Sequence, residues 1–200
     1  MQNNAAEIMA LEPAKLIQIL GNPEAPVFAK AKACQRLAVI GTKEAVPALA
    51  ALLAHPQLGH YARFGLEPIP DPSVDAALRD ALGKLKGRPL VGVINSIGVR
   101  KDAQSLDPLA KLLDERDAEV AQATAAALGR ISGPQAAKKL RKALGRAQAP
   151  LRPAVAHAAL ICAEGLLAQG QRKPALALYS ALRRPGLPQP VRTAATLARQ

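Results

Sequence analysis

The chain has 200 residues, half of them hydrophobic, so a sizeable core is available, yet only 2% are aromatic, which excludes an interior built on rings. A net charge of +12 directs any electrostatic partner toward anions, and the two cysteines lack the close spacing of disulfide-dense or zinc-binding chains. An interior made of Ala, Leu, Val and Ile favours helices packed through small side chains over a β-sandwich.

In chain order, the pattern predicts an N-terminal helix over residues 13–20 and then a recurring unit. Residues 37–49 read LAVIGTKEAVPAL, an apolar run, a break at Gly41-Thr42 and a second apolar run. Windows of the same length follow: LEPIPDPSVDAAL at 66–78, IGVRKDAQSLDPL at 97–109, LGRISGPQAAKKL at 128–140 and LLAQGQRKPALAL at 166–178. Each leaves one apolar helical run, passes through Gly, Pro or Asp, and enters another. The unit is therefore helix, turn, helix.

First helices are expected near 25–39, 56–67, 88–98, 117–130 and 151–168, with a last helix over 190–198. The second helices carry the closing leucines Leu49, Leu78, Leu109, Leu140 and Leu178, each followed four places on by another leucine. Residues four apart share a helix face, so these pairs define one buried stripe. Leucine to leucine, the periods are 29, 31, 31 and 38, the signature of a stacked repeat. Asp71-Pro72 is expected to cap and open one second helix, and Ser132-Gly133-Pro134 another. Pro108 places the start of its helix near Ser105 to Asp107. The expected organisation is one domain over 1–200, with repeats at 23–54, 55–86, 87–115, 116–147 and 148–185 and terminal helices at 13–20 and 190–198.

LGRISGPQAAKKLRKAL and IGTKEAVPALAALLA resemble HEAT repeats of the short bacterial type, similar to those grouped as phycobilisome-lyase-like, over about residues 23–185. The stretch from His60 through LEPIPDPSVDAALRDALGKLKG to GVINSIGVRKD is also similar to HEAT modules of large exported proteins of planctomycete-like bacteria. The resemblance implies an all-α, right-handed α-α superhelix, a HEAT-like α-solenoid whose second helices line a concave side. It implies no single activity. The last repeat departs from the pattern, with Gly170, Ala175 and Tyr179 leaning toward a tetratricopeptide.

Charge is uneven: residues 1–80 hold 7 Lys/Arg against 8 Asp/Glu, 81–146 hold 13 against 6, and 147–200 hold 7 against 1. Positions two before, two after and five after the inward leucines point away from the core. In the later repeats these include Asp107, Lys111, Asp114, Lys138, Lys142 and Arg183, with Arg141 beside them. The first repeat presents Pro47, Ala51 and Ala54. Arg79, Lys111, Lys138, Arg141, Lys142 and Arg183 are thus the candidate binding residues, densest in KKLRKALGR at 138–146. The alternative is that these cations only solvate an Ala/Leu helix. Nucleic acid is disfavoured as a ligand because Phe28, Phe64, Tyr61 and Tyr179 offer few faces on which bases could stack.

Other polar residues read as structural: Arg63 and Glu67 as an intrahelical pair, Asn95 and Ser96 as groups bonding to neighbouring turns, and Arg100 and Asp102 as ties between turns. The deoxyhypusine-hydroxylase branch of HEAT proteins binds iron through repeated His-Glu dipeptides. Here His55, His60 and His157 precede Pro, Tyr and Ala, so no metal or other cofactor is expected. Cys34 and Cys162 read as buried free thiols, and His157 lies about 140° round the helix from Cys162, so no nucleophile meets a base.

Together these expectations describe a non-catalytic protein-interaction or scaffold module with a protein partner. The alternatives are polyanion or nucleic-acid binding through the basic C-terminal repeats, and a lyase-type HEAT protein. The longest apolar stretches, such as AVPALAALLA at 45–54, fall short of a bilayer span, so no membrane span is expected, and the start shows no basic segment followed by an apolar run. TAATLA at 193–198 reads as an internal helix, which suggests a piece of a longer polypeptide. The location is then exported if a signal-bearing segment precedes it, and cytoplasmic if the N-terminus is native.

Overall fold

The computed structural model describes residues 4–198, which form thirteen α-helices and two 3-10 turns with no strand among them. The fold class is the expected one, all-α and built from helix–turn–helix units as in an α-solenoid. Contacts divide the chain into two compact units, Met1–Ser96 and Ile97–Gln200.

The first unit holds α1 (Ala5–Met9), α2 (Pro13–Gly21), α3 (Val27–Ile40), α4 (Val46–Ala50), α5 (Gly59–Leu66), α6 (Pro72–Leu82) and most of α7 (Gly87–Arg100). The first helices α3 and α5 pack side by side, and so do the second helices α4 and α6. α1 was not legible in the sequence. It exists because Asn4 caps it and Ile8 is fully buried where the helix meets α3. Asp71 caps α6 as expected, accepting from the Ser73 amide at 2.9 Å with Pro72 at the first position.

The second unit holds the end of α7, then α8 (Leu106–Leu112), α9 (Ala118–Ile131), α10 (Gly133–Arg146), α11 (Leu151–Ala168), α12 (Arg172–Leu182) and α13 (Gln189–Leu197). α9 and α11 form a layer of first helices, and α8, α10 and α12 a layer of second helices. α4 and α8 are short because each is entered through a 3-10 turn, Lys43–Ala45 and Ala103–Ser105, that uses up the first residues of the run. Asp102 caps the latter turn, accepting from the Gln104 amide and the Ser105 hydroxyl.

All five closing leucines are buried: Leu49, Leu78, Leu109 and Leu140 at 0% exposure and Leu178 at 1%. Their partners Leu53, Leu82, Leu113, Leu144 and Leu182 are buried too, as are the residues that open the windows, Leu37, Leu66, Ile97, Leu128 and Leu166. Each such leucine contributes roughly 1.5–3 kcal/mol of burial. Small residues let the first helices approach closely: a Cβ on Gly129 of α9 would lie 2.7 Å from the Ala158 carbonyl oxygen of α11. At 18 residues and a mean hydropathy of 1.3, α11 is long and apolar enough to cross a membrane by length and composition. Here it packs against α9, α10 and α12 and buries Val155, Ala159, Cys162 and Leu166 among them.

Ser132 corrects one expectation. It stands at the N-cap of α10 but its side chain caps nothing; its hydroxyl donates instead to the Cys162 carbonyl of α11 at 3.2 Å. With φ at +59° the residue sits in the left-handed region, which turns its side chain toward the next repeat.

Candidate functional site

α10 is the most sharply two-sided helix of the second unit. Ala136, Ala137, Leu140, Ala143 and Leu144 are buried on one side, and every charged residue of the helix is a cation. At about 100° per residue, Lys139 and Arg146 fall on one flank of the exposed side, Arg141 lies on the other, and Lys138 and Lys142 ride the crest between.

The two flanks meet different neighbours. Toward α8, Lys139 pairs with Asp107, and Arg146 Nη2 lies 3.0 Å from Asp114 Oδ2. The Lys139 ammonium, by hydrogen bond and charge, holds the exposed Asp107 carboxyl below its ordinary pKa. Toward α12, an open groove of about 1040 Å³ is walled by Gln135, Lys138, Lys139, Arg141 and Lys142 on one side and by Ala177, Ser180, Ala181 and Arg184 on the other. No carboxylate lines it. Among the described residues, Lys138, Arg141, Lys142 and Arg184 make no ion pair. A dent of about 200 Å³ lies beside it, with Pro134, Ala137, Pro174 and Leu178 supplying apolar surface next to Lys138 and Arg141.

Of the six residues singled out from the sequence, the structure brings Lys138, Arg141 and Lys142 together in this groove. Lys111 lies in the neighbouring groove between α8 and α10, about 580 Å³, beside Asp107 and Asp114. Arg183 lines a separate pocket of about 140 Å³ with Tyr179 and Ala195. Arg79 is on α6 in the first unit, half-buried and engaged in a polar or electrostatic contact of its own. Sequence reasoning missed Arg184, because it extended the helical rule to Arg183 although α12 ends at Leu182. Pro47, Ala51 and Ala54 are exposed, as expected.

The remaining polar residues do structural work. Arg63 Nη1 is 3.9 Å from Glu67 Oε1, the expected intrahelical pair, and both reach the fully buried Ser96 of α7. The Ser96 hydroxyl donates to Glu67 at 2.6 Å and accepts from Arg63 at 3.4 Å. Gly92 leaves room for the Arg63 side chain, whose Nε would lie 2.6 Å from an added Cβ. Cys34 and Cys162 are buried free thiols, and burial pushes them up to about 12 and about 11 respectively. Among the described residues no three His, Cys, Asp or Glu side chains are grouped to hold a metal ion.

Residues 65–161 match the family model of HEAT repeats. No curated protein matches the chain. Among the solved structures similar to it is that of human deoxyhypusine hydroxylase in complex with glycerol, at 18% identity and a TM-score of 0.45, covering 98% of this chain and 79% of that one.

Proposed function

We propose that this chain, whose residues 65–161 match the family model of HEAT repeats, is a non-catalytic scaffold whose working surface is the groove between α10 and α12, and that this groove takes an acidic segment of a partner protein. The observation that carries the reading is the convergence of four unpaired cations on one groove with no carboxylate in its lining. A helix that merely solvates itself has no need to keep its cations unpaired beside a concavity, when Asp107 and Asp114 neutralise their neighbours one helix away. The apolar dent beside the groove suits a partner side chain, which gives a polypeptide a foothold besides charge. Polyanion binding through phosphates is the second reading, favoured by the same cations but not by the lining, where no aromatic ring offers a base a stacking face.

The test is fluorescence anisotropy with a labelled twelve-residue glutamate-rich peptide and a labelled single-stranded oligonucleotide of equal charge, each titrated at several salt concentrations. The proposal expects the peptide to bind, to bind more tightly than the oligonucleotide at about 150 mM salt, and to be lost in K138E/R141E. Tighter oligonucleotide binding with a steep salt slope supports the second reading instead. No binding of either probe defeats both.

A further inference from the structure

We propose that Asp107 and Asp114 set the edge of the anion-binding surface, confining an acidic partner segment to the groove between α10 and α12 and keeping it out of the groove between α8 and α10. The inference rests on the reading of the α10–α12 groove given above.

The two ion pairs are laid out alike. Asp107 and Asp114 are seven residues apart, and so are their partners Lys139 and Arg146; each pair spans 32 positions in sequence. Lys139 and Arg146, about two helical turns apart, share one flank of α10, while Asp107 stands on α8 and Asp114 in the turn that follows it, so the pairs mark out two points along the α8–α10 groove. That groove is lined by four cations, Lys111, Lys139, Lys142 and Arg146, against five in its neighbour, and would come close to it in charge if the two aspartates were absent. With them, its net charge is halved and its Lys139 and Arg146 already have carboxylate partners. An acidic segment entering there has to displace a carboxylate from each, whereas across the crest of α10 it meets four cations with none, Lys138, Arg141, Lys142 and Arg184.

Stability does not account for the aspartates. Asp107 is 85% exposed and Asp114 62%, against 23% for Lys139 and 46% for Arg146, and ion pairs whose carboxylate stays in water add little to folding. Charges at such positions act mainly on which partner binds and where, by making the wrong register unfavourable. α10 and α12 themselves contain no acidic residue, so the contrast between the two grooves comes wholly from the α8 side. Lys139 and Lys142, which line both grooves, stand on the dividing line.

The experiment uses the same glutamate-rich peptide, carrying a photo-crosslinker, with the wild-type chain, with D107N/D114N and with K138E/R141E. Surface asparagines at these positions leave the thermal unfolding of D107N/D114N unchanged within about 1–2 °C. The proposal expects D107N/D114N to bind the peptide roughly 3–10-fold more tightly at low salt, and its crosslinks to spread from α10 and α12 onto α8. If D107N/D114N binds with unchanged affinity and footprint while K138E/R141E loses binding, the groove stands and the boundary is refuted. If the wild-type chain does not bind, or K138E/R141E binds as well as wild type, the reading of the groove fails and the boundary falls with it.

Discussion

Gly129→Ala asks whether neighbouring first helices really touch backbone to backbone. In an exposed helix interior this substitution normally stabilises by about 0.8–1 kcal/mol, because alanine is the better helix former. Here the new Cβ would lie 2.7 Å from the Ala158 carbonyl oxygen, 3.0 Å from its Cα and 3.2 Å from its carbonyl carbon. All three atoms are backbone of α11, so no side chain can swing aside; α9 or α11 has to move. Overpacking of this kind costs about 1–3 kcal/mol, and a contact this short belongs in the upper half of that range. After the helix-propensity gain, the net is a loss of about 1–2 kcal/mol, or a fall in Tm of about 2–8 °C for a chain of this size. Gly145→Ala is the control, since a Cβ there meets nothing within 4 Å; it should raise Tm by at most about 4 °C. Thermal unfolding followed by circular dichroism measures both. If Gly129→Ala is as stable as the parent or more so, the helices are not in the contact described.

Leu140→Ala, at the centre of the α10 seam and fully buried, should cost about 2–5 kcal/mol in urea unfolding, whereas Arg141→Ala beside it should cost less than about 0.5 kcal/mol. Ser96→Ala removes the hydroxyl that joins Arg63 and Glu67 between α5 and α7 and should cost about 1–2 kcal/mol; a neutral result would show the contact to be incidental. Cys34 and Cys162, buried and raised to about 12 and about 11, should resist a thiol reagent at pH 8 until the chain is unfolded. Because each folded pKa lies above the ordinary 9.0, their contribution is intact below pH 9 and declines as pH climbs toward 11–12. Wild type should therefore lose more stability than C34A/C162A over that window, by up to about 1.4 kcal/mol per pH unit per thiol.

The buried half of the molecule was legible because repetition writes it several times. A leucine at 49, 78, 109, 140 and 178 with another four places on has no competing explanation, and all of them are buried. The first helices were legible for the same reason, α11 agreeing to the residue. What escaped depends on local endings and on register between units. The helix rule chose Arg183 where the groove uses Arg184, because nothing in the sequence marks the end of α12 at Leu182. Leucine register aligns Asp107 with Lys138, yet its partner is Lys139, one residue on. A one-residue shift turns a side chain by about 100°, enough to bring a cation of α10 within reach of an α8 carboxylate. Ser132 looked like a cap because its sequence neighbours are those of a cap, and only the neighbouring repeat shows that its hydroxyl is used elsewhere.

That division between legible and illegible residues follows from how a stacked repeat is selected. Each unit must bury the same stripe against its neighbours, so the inward positions are held to Leu, Ala and Gly whatever the protein does. The outward positions carry no such constraint: two residues before the inward leucine they read Asp107, Lys138 and Leu176, and five after it Asp114, Gly145 and Arg183. Where the scaffold is indifferent, a patterned difference between repeats needs another cause. Two aspartates in the third repeat, each meeting a cation of the fourth, while the fourth and fifth leave four cations unpaired around one groove, are such a difference. Moving the acidic positions should therefore move the binding surface without moving the fold, and D107N/D114N puts that claim to measurement.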